Sequence, residues 1–180
     1  MRFVDLFGEQ ACDGVKDKHD CIESTNYKPK KAGNQTVTQD HNIDQAVSNL
    51  ARKGSLKTYG YNEKAVRFDE DSKGNVTTTK LKVVVKKVGR TIKTTIYGAG
   101  GADAIAHSHP VNGSKIIPGP ADSGVVNKDM PNNIIHGDSA IVIEKVKGQF
   151  RVRIIVNDGI TRSDRQGIQK ALNVFQSAVQ

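Results

Sequence analysis

Tryptophan is absent and aromatic residues make up only 5% of the 180-residue chain. A core must therefore be assembled from Val, Ile, Leu and Ala, and few rings are left to interleave with basic residues as base-stacking platforms. No apolar run approaches the ~20 residues that a membrane-spanning helix needs. The first residues, Met1 to Gly8, lack the long apolar stretch of a secretory signal; if the protein is exported, its signal lies elsewhere or on a larger parent. Cysteine is nearly absent. Cys12 and Cys21 sit close together with His19 between them and no evident fourth metal ligand, so they read as a local disulfide staple or as free thiols. The glycine-rich run Tyr97-Gly98-Ala99-Gly100-Gly101-Ala102 has no Gly-Lys-Ser/Thr ending and no helical pattern after it, which removes a phosphate loop.

Charge is plentiful but uneven. Residues 1–50 carry six Lys/Arg against eight Asp/Glu, residues 51–100 twelve against four, and residues 101–180 nine against seven. The net +8 thus belongs to the middle third, around Lys80-Leu81-Lys82 and Lys86-Lys87. Such a surface attracts nucleic acid or an acidic protein, although lysines also guard exposed strand edges against aggregation.

Taken in order, residues 1–37 are polar and broken by Lys28-Pro29-Lys30-Lys31 and Gly33-Asn34, and are expected to be an irregular arm or linker. Residues 38–180 are the expected domain. A helix is expected from Asp40, a fitting N-cap, with Ile43, Ala46, Val47 and Leu50 on one face and Gly54 as its stop. Residues 65–68 read as a strand, 69–75 as a turn, and 76–88 and 91–97 as a hairpin turning at Val88-Gly89-Arg90. Residues 105–109 form a short strand that ends at Pro110. Pro120 suits the first turn of a short helix, broken by Met130-Pro131-Asn132-Asn133. Strands at 139–145 and 150–156 follow. An amphipathic helix closes the chain, with Ser163 and Gln166 as a capping-box pattern and Ile168, Leu172, Phe175 and Val179 lining one face. The order implies an α+β fold in which helices flank a largely antiparallel sheet.

Within this frame, His107-Ser108-His109-Pro110 stands out. Two imidazoles at i and i+2 on an extended segment share a face, and Asp122 follows thirteen residues after His109. Two imidazoles and a carboxylate make a three-ligand shell with a fourth position open, the mark of a catalytic rather than a structural zinc. Two histidines near a turn also occur on surfaces by chance. His136 reads as a second-layer residue or as nothing, and His19 and His41 as surface residues.

With that order of elements, the chain resembles the JAB/JAMM (MPN) metalloprotease superfamily. The family pattern is a glutamate after the first helix, His-x-His-Pro ending a strand, and Ser-x-x-Asp opening a helix. Here Glu63 precedes the strand at 65–68, His107-Ser108-His109-Pro110 matches the second element, and Asp122 matches the aspartate of the third. Two departures are visible: the family serine falls on Gly119, and the loop between His109 and Asp122 is longer than usual. The resemblance implies Zn²⁺ on His107, His109 and Asp122, which brings the pKa of water toward ~7. It also implies Glu63 as the general base that passes the proton to a leaving amine. The oxyanion role of the missing serine would pass to the metal, a backbone N–H, Ser123 or Ser114.

A stand-alone metal-hydrolase core behind a linker-like start resembles the C-terminal toxin modules of bacterial polymorphic toxins, including those on Rhs and contact-dependent carriers. That resemblance implies a secreted or delivered effector that hydrolyses a protein or peptide in the target-cell cytoplasm and is blocked by a cognate immunity protein. Two alternatives stand beside it. One is a metal-dependent nuclease toxin using the basic region 51–100. The other is a catalytically silent JAMM-fold binding module, which the loss of the serine favours.

Overall fold

The structure is a computed structural model that describes residues 11–28, 33–111 and 115–180. Eight strands form one sheet: β1 (Cys21–Glu23), β2 (Ala65–Glu70), β3 (Val76–Val88), β4 (Thr91–Tyr97), β5 (Ala104–Ser108), β6 (Asn132–His136), β7 (Ser139–Val146) and β8 (Gln149–Val156). Their order across the sheet is β1-β8-β7-β6-β5-β2-β3-β4. Three α-helices accompany it: α1 (His41–Arg52), α2 (Pro120–Val126) and α3 (Arg162–Val179). The fold is therefore α+β with a mostly antiparallel mixed sheet, as the order of elements implies. No helix is long and apolar enough to cross a membrane among the described residues.

The layers follow from alternation along the strands. On one face α1 packs Ile43, Val47 and Ala51 against Val66, Phe68 and Ala106. On the other, Ile168, Leu172 and Phe175 of α3, with Val126 of α2, cover Ile134, Ile141, Ile143 and Phe150. Phe150 meets Phe175 edge-on, and apart from Phe68 the remaining core is aliphatic, as the shortage of aromatics requires.

Among the described residues only β5 and β6 run parallel, because parallel neighbours need a crossover and a helix is the usual one. The chain leaves the end of β5, forms α2 on the α3 side of the sheet, and returns as β6. This connection sets the first turn of α2 beside the carboxyl end of β5, where crossover folds tend to place ligands.

Several expectations are corrected. β6 is a full strand, although its first residues, Asn132-Asn133, read as helix breakers. They are buried and paired to Ile105 and Ala106, so tertiary burial overrides their turn preference. The cap of α3 is Thr161 with Asp164, not Ser163 with Gln166: the Thr161 hydroxyl accepts from the Asp164 N–H, and the Asp164 carboxylate accepts from Thr161. The arm is not a bare linker over residues 11–28. Its β1 pairs antiparallel with β8, Cys12 and Cys21 form a disulfide, and Val37 bridges to Lys145.

Candidate metal centre

β5 is buried along its whole length, because it lies between β2 and β6 in the middle of the sheet. Its small residues Ala104 and Ala106 face α1, and Ile105 and His107 face α2. His109 sits one residue past the strand and still donates its backbone N–H to Ile135 O at 2.9 Å, so both imidazoles stay on the α2 side. Asp122 occupies the first turn of α2, where its Oδ2 accepts the Gly119 N–H at 2.7 Å. A carboxylate there satisfies one of the donors a helix start leaves open.

The three sequence-predicted ligands converge. His107 Nε2 lies 3.1 Å from Asp122 Oδ1 and 3.3 Å from His109 Nε2, and His109 Nε2 lies 4.0 Å from Asp122 Oδ2. One donor atom from each falls within 4.8 Å of the others, a group able to hold a metal ion. Both imidazoles are also held in the tautomer a metal requires. His109 Nδ1 meets the carbonyl of Lys115 at 2.7 Å; a carbonyl only accepts, so the proton is on Nδ1 and the Nε2 lone pair faces the cluster. His107 Nδ1 meets Asn132 Oδ1 at 3.2 Å, while Asn132 Nδ2 donates to Asp122 O at 3.2 Å, which fixes the orientation of the amide. Such outer partners are what metal-binding histidines ordinarily have. The residues present therefore fit a divalent cation that takes nitrogen and oxygen ligands.

Electrostatics without an ion are those of an ion pair. Burial works against a charged His107, but the Asp122 hydrogen bond and the Asp122 and Glu63 charges outweigh it and raise its pKa. Burial likewise opposes the Asp122 carboxylate, and His107 overcomes it, leaving the Asp122 pKa below the usual carboxylate range. Burial and the neighbouring His107 push His109 down, toward the neutral form.

Glu63 lines the same cleft, a space of about 970 Å³ walled by Ile92, Thr94 and Ile96 of β4 on one side and Ile117 and Val125 on the other. Burial raises its pKa, against the opposing effects of His107 and a Thr94 hydrogen bond, and Asp122 adds to the rise. The residue between the two histidines positions this segment. Ser108 faces the opposite way, is buried, and accepts from the Lys64 N–H at 2.9 Å, while its own N–H donates to Lys64 O at 2.9 Å.

Asn132 and Ser108 are the site residues that sequence reading missed. The signal for Asn132 is its place after Pro131, where the sequence pattern points to a helix breaker. Of the groups proposed to replace the family serine, Ser123 turns its hydroxyl to Pro120 O, the Gly119 N–H is taken by Asp122, and Ser114 lies outside the described residues. His136 is not among the residues lining this cleft; its charge is felt at His109, and it lines a separate small cavity with Asp138, Asp158 and Asp164. His19 and His41 are exposed. No family model, no curated protein and no solved structure matches the chain.

Proposed function

We propose that this chain is a zinc-dependent peptidase or isopeptidase of JAMM type, the effector module of a bacterial polymorphic toxin. The observation that carries the reading is the convergence of His107, His109 and Asp122 in one cleft that also holds Glu63. Two imidazoles and one carboxylate with room beside them favour zinc in an open, catalytic arrangement. When bound, the zinc supplies Lewis acidity toward water and toward a carbonyl oxygen.

The protein's own residues do the rest. Asn132 and the Lys115 carbonyl hold both imidazoles with Nε2 toward the ligand position. Glu63, made more basic than a surface glutamate by burial, takes a proton from the attacking water and returns it to the leaving amine. Thr94 lines the cleft with Glu63. Ile92, Ile96, Ile117 and Val125 limit water in the cleft and offer an apolar bed to a peptide. The effector acts in the cytoplasm of a target cell, and its immunity protein covers the cleft.

Metal analysis of the purified protein is expected to give about one zinc per chain. His109→Ala should lose both zinc and toxicity, and Glu63→Gln should keep zinc and lose cleavage of a quenched peptide library and of a lysine isopeptide. A protein purified without metal that takes up none on titration overturns the reading. Plasmid or transfer RNA degradation that disappears in His109→Ala would replace peptidase by nuclease. One observation favours the binding-module reading instead: Gly119 has no hydroxyl, and the Ser123 hydroxyl and Gly119 N–H are both already bonded. Zinc retention with toxicity unchanged in Glu63→Gln would select it.

A further inference from the structure

β3 has thirteen residues, but β2 pairs only with its first six, Val76 to Leu81. From Lys82 to Val88 its only strand neighbour among the described residues is β4, so a two-stranded ribbon seven residues long, roughly 23 Å at the usual strand rise, overhangs the sheet. Between Val76 and Tyr97 there are six Lys/Arg and no Asp/Glu. With a whole-chain charge of +8, the rest of the molecule carries only +2.

Register divides these charges between two faces. Leu81 is opposite Ala65, and Ala65 is opposite His107; Val83, Val85, Lys87, Ile92, Thr94 and Ile96 continue that face, and Ile92, Thr94 and Ile96 line the metal cleft. The other face carries Lys80, Lys82, Lys86 and Lys93 with Thr91, Thr95 and Tyr97, all exposed, and with Val84 and Val88 between them; Thr95 and Tyr97 also border the cleft. Lys86 stands directly across from Lys93, a like-charge pair that destabilises a free ribbon. None of these four lysines has an acidic partner among the described residues.

We infer that this lysine face of the β3–β4 ribbon is a sequence-independent binding site for duplex nucleic acid. A two-stranded ribbon is one of the elements that the ~12 Å major groove admits. Along β3, Lys80 and Lys82 are one same-face step apart, ~6.6 Å, and Lys86 stands two steps beyond Lys82 with Val84 between, spacings close to two and four phosphates of a strand that carries one charge per 3.4 Å. Threonine hydroxyls between the lysines suit phosphate contacts, which position a protein without reading sequence. A duplex seated here lies on the side turned away from His107 and Glu63. The ribbon anchors the protein to a polyanion and does not present phosphodiesters to the metal centre. This site stands apart from the peptidase reading.

The test is fluorescence anisotropy of a labelled mixed-sequence 20-base-pair duplex with the full chain between 50 and 200 mM salt. Four phosphate contacts predict a log–log salt slope of about −3.6, an affinity loss of roughly 10²-fold over that range. The Lys82→Ala/Lys86→Ala/Lys93→Ala variant should flatten the slope to about −0.9, and the same three positions changed to Arg should restore it. Circular dichroism and zinc content unchanged in both variants keep the result from being a folding defect. Glu63→Gln should bind as the wild type does. No binding at 50 mM salt, or an alanine variant that binds like the wild type, overturns the inference. Displacement of the duplex by polyglutamate at equal charge concentration also overturns it, in favour of an acidic protein partner.

Discussion

Asn132 is the residue on which the two halves of the candidate centre depend. Its Oδ1 meets His107 Nδ1 and its Nδ2 donates to the carbonyl of Asp122, so one fully buried amide orients a ligand from β5 and a ligand from α2 together. Asn132→Ala removes the acceptor that holds His107 in its tautomer and the donor to the Asp122 carbonyl, leaving the Asp122 carboxylate held by the Gly119 N–H. Loss of such an outer partner typically lowers metal affinity 10–100-fold. Competition against a calibrated chelator is expected to show a loss in that range with the circular dichroism unchanged. Affinity equal to wild type would mean that packing alone holds His107.

At the scale of elements, what was legible followed from periodicity and punctuation. β3 and β4 run over the residues that alternation and the Val88-Gly89-Arg90 turn implied, and α1 begins after Asp40, whose side chain accepts from the Asn42 N–H. His107, His109 and Asp122 were legible because a short strand with an i, i+2 pair fixes a shared face without long-range information. β6 was not, since Asn132 and Asn133 take their strand conformation from burial beside β5, and their local preference points to a turn. The cap of α3 was misplaced by two residues because Ser/Thr-x-x-acid and Ser/Thr-x-x-Gln patterns overlap there. The cap makes its own prediction. Hydrogen bonds from Thr161 outweigh burial and hold the Asp164 pKa below its ordinary 3.8. A depressed carboxylate stabilises the folded state fully above its unfolded pKa, and that contribution fades as pH falls through the folded value. Asp164→Ala should therefore lower the melting temperature at pH 7, and the deficit relative to wild type should shrink between pH 4 and pH 2. A deficit independent of pH would assign the loss to packing.

Across the whole molecule, the two sides of the sheet serve different ends. The α2–α3 side carries the candidate centre, and the α1 side carries a charged network that ties the arm to the domain. Glu144 on β7 is fully buried and accepts from the Gln39 N–H at 2.7 Å, from Arg151 Nε at 2.7 Å and from Arg153 Nη2 at 2.8 Å. Arg153 continues to Asp44 of α1 at 2.7 Å, and Arg151 Nη1 donates to Ala11 O at 2.7 Å beside the Cys12–Cys21 staple. The network spans β7, β8, α1 and residues 11–28 of the arm, so that part of the arm folds with the domain. The Glu144 and Asp44 carboxylates together raise the Arg153 pKa despite its burial, which keeps that guanidinium charged. Removing the central carboxylate leaves the buried Arg151 and the partly buried Arg153 with one acid between them, a loss that in buried pairs costs about 3–5 kcal/mol. Glu144→Ala is expected to lower unfolding free energy in urea by about that amount, and to expose the arm to protease before the domain unfolds. Because the network lies across the sheet from His107, zinc bound per folded chain should stay the same. A Glu144→Ala protein that melts like wild type would show that β1 and the disulfide hold the arm without the charges.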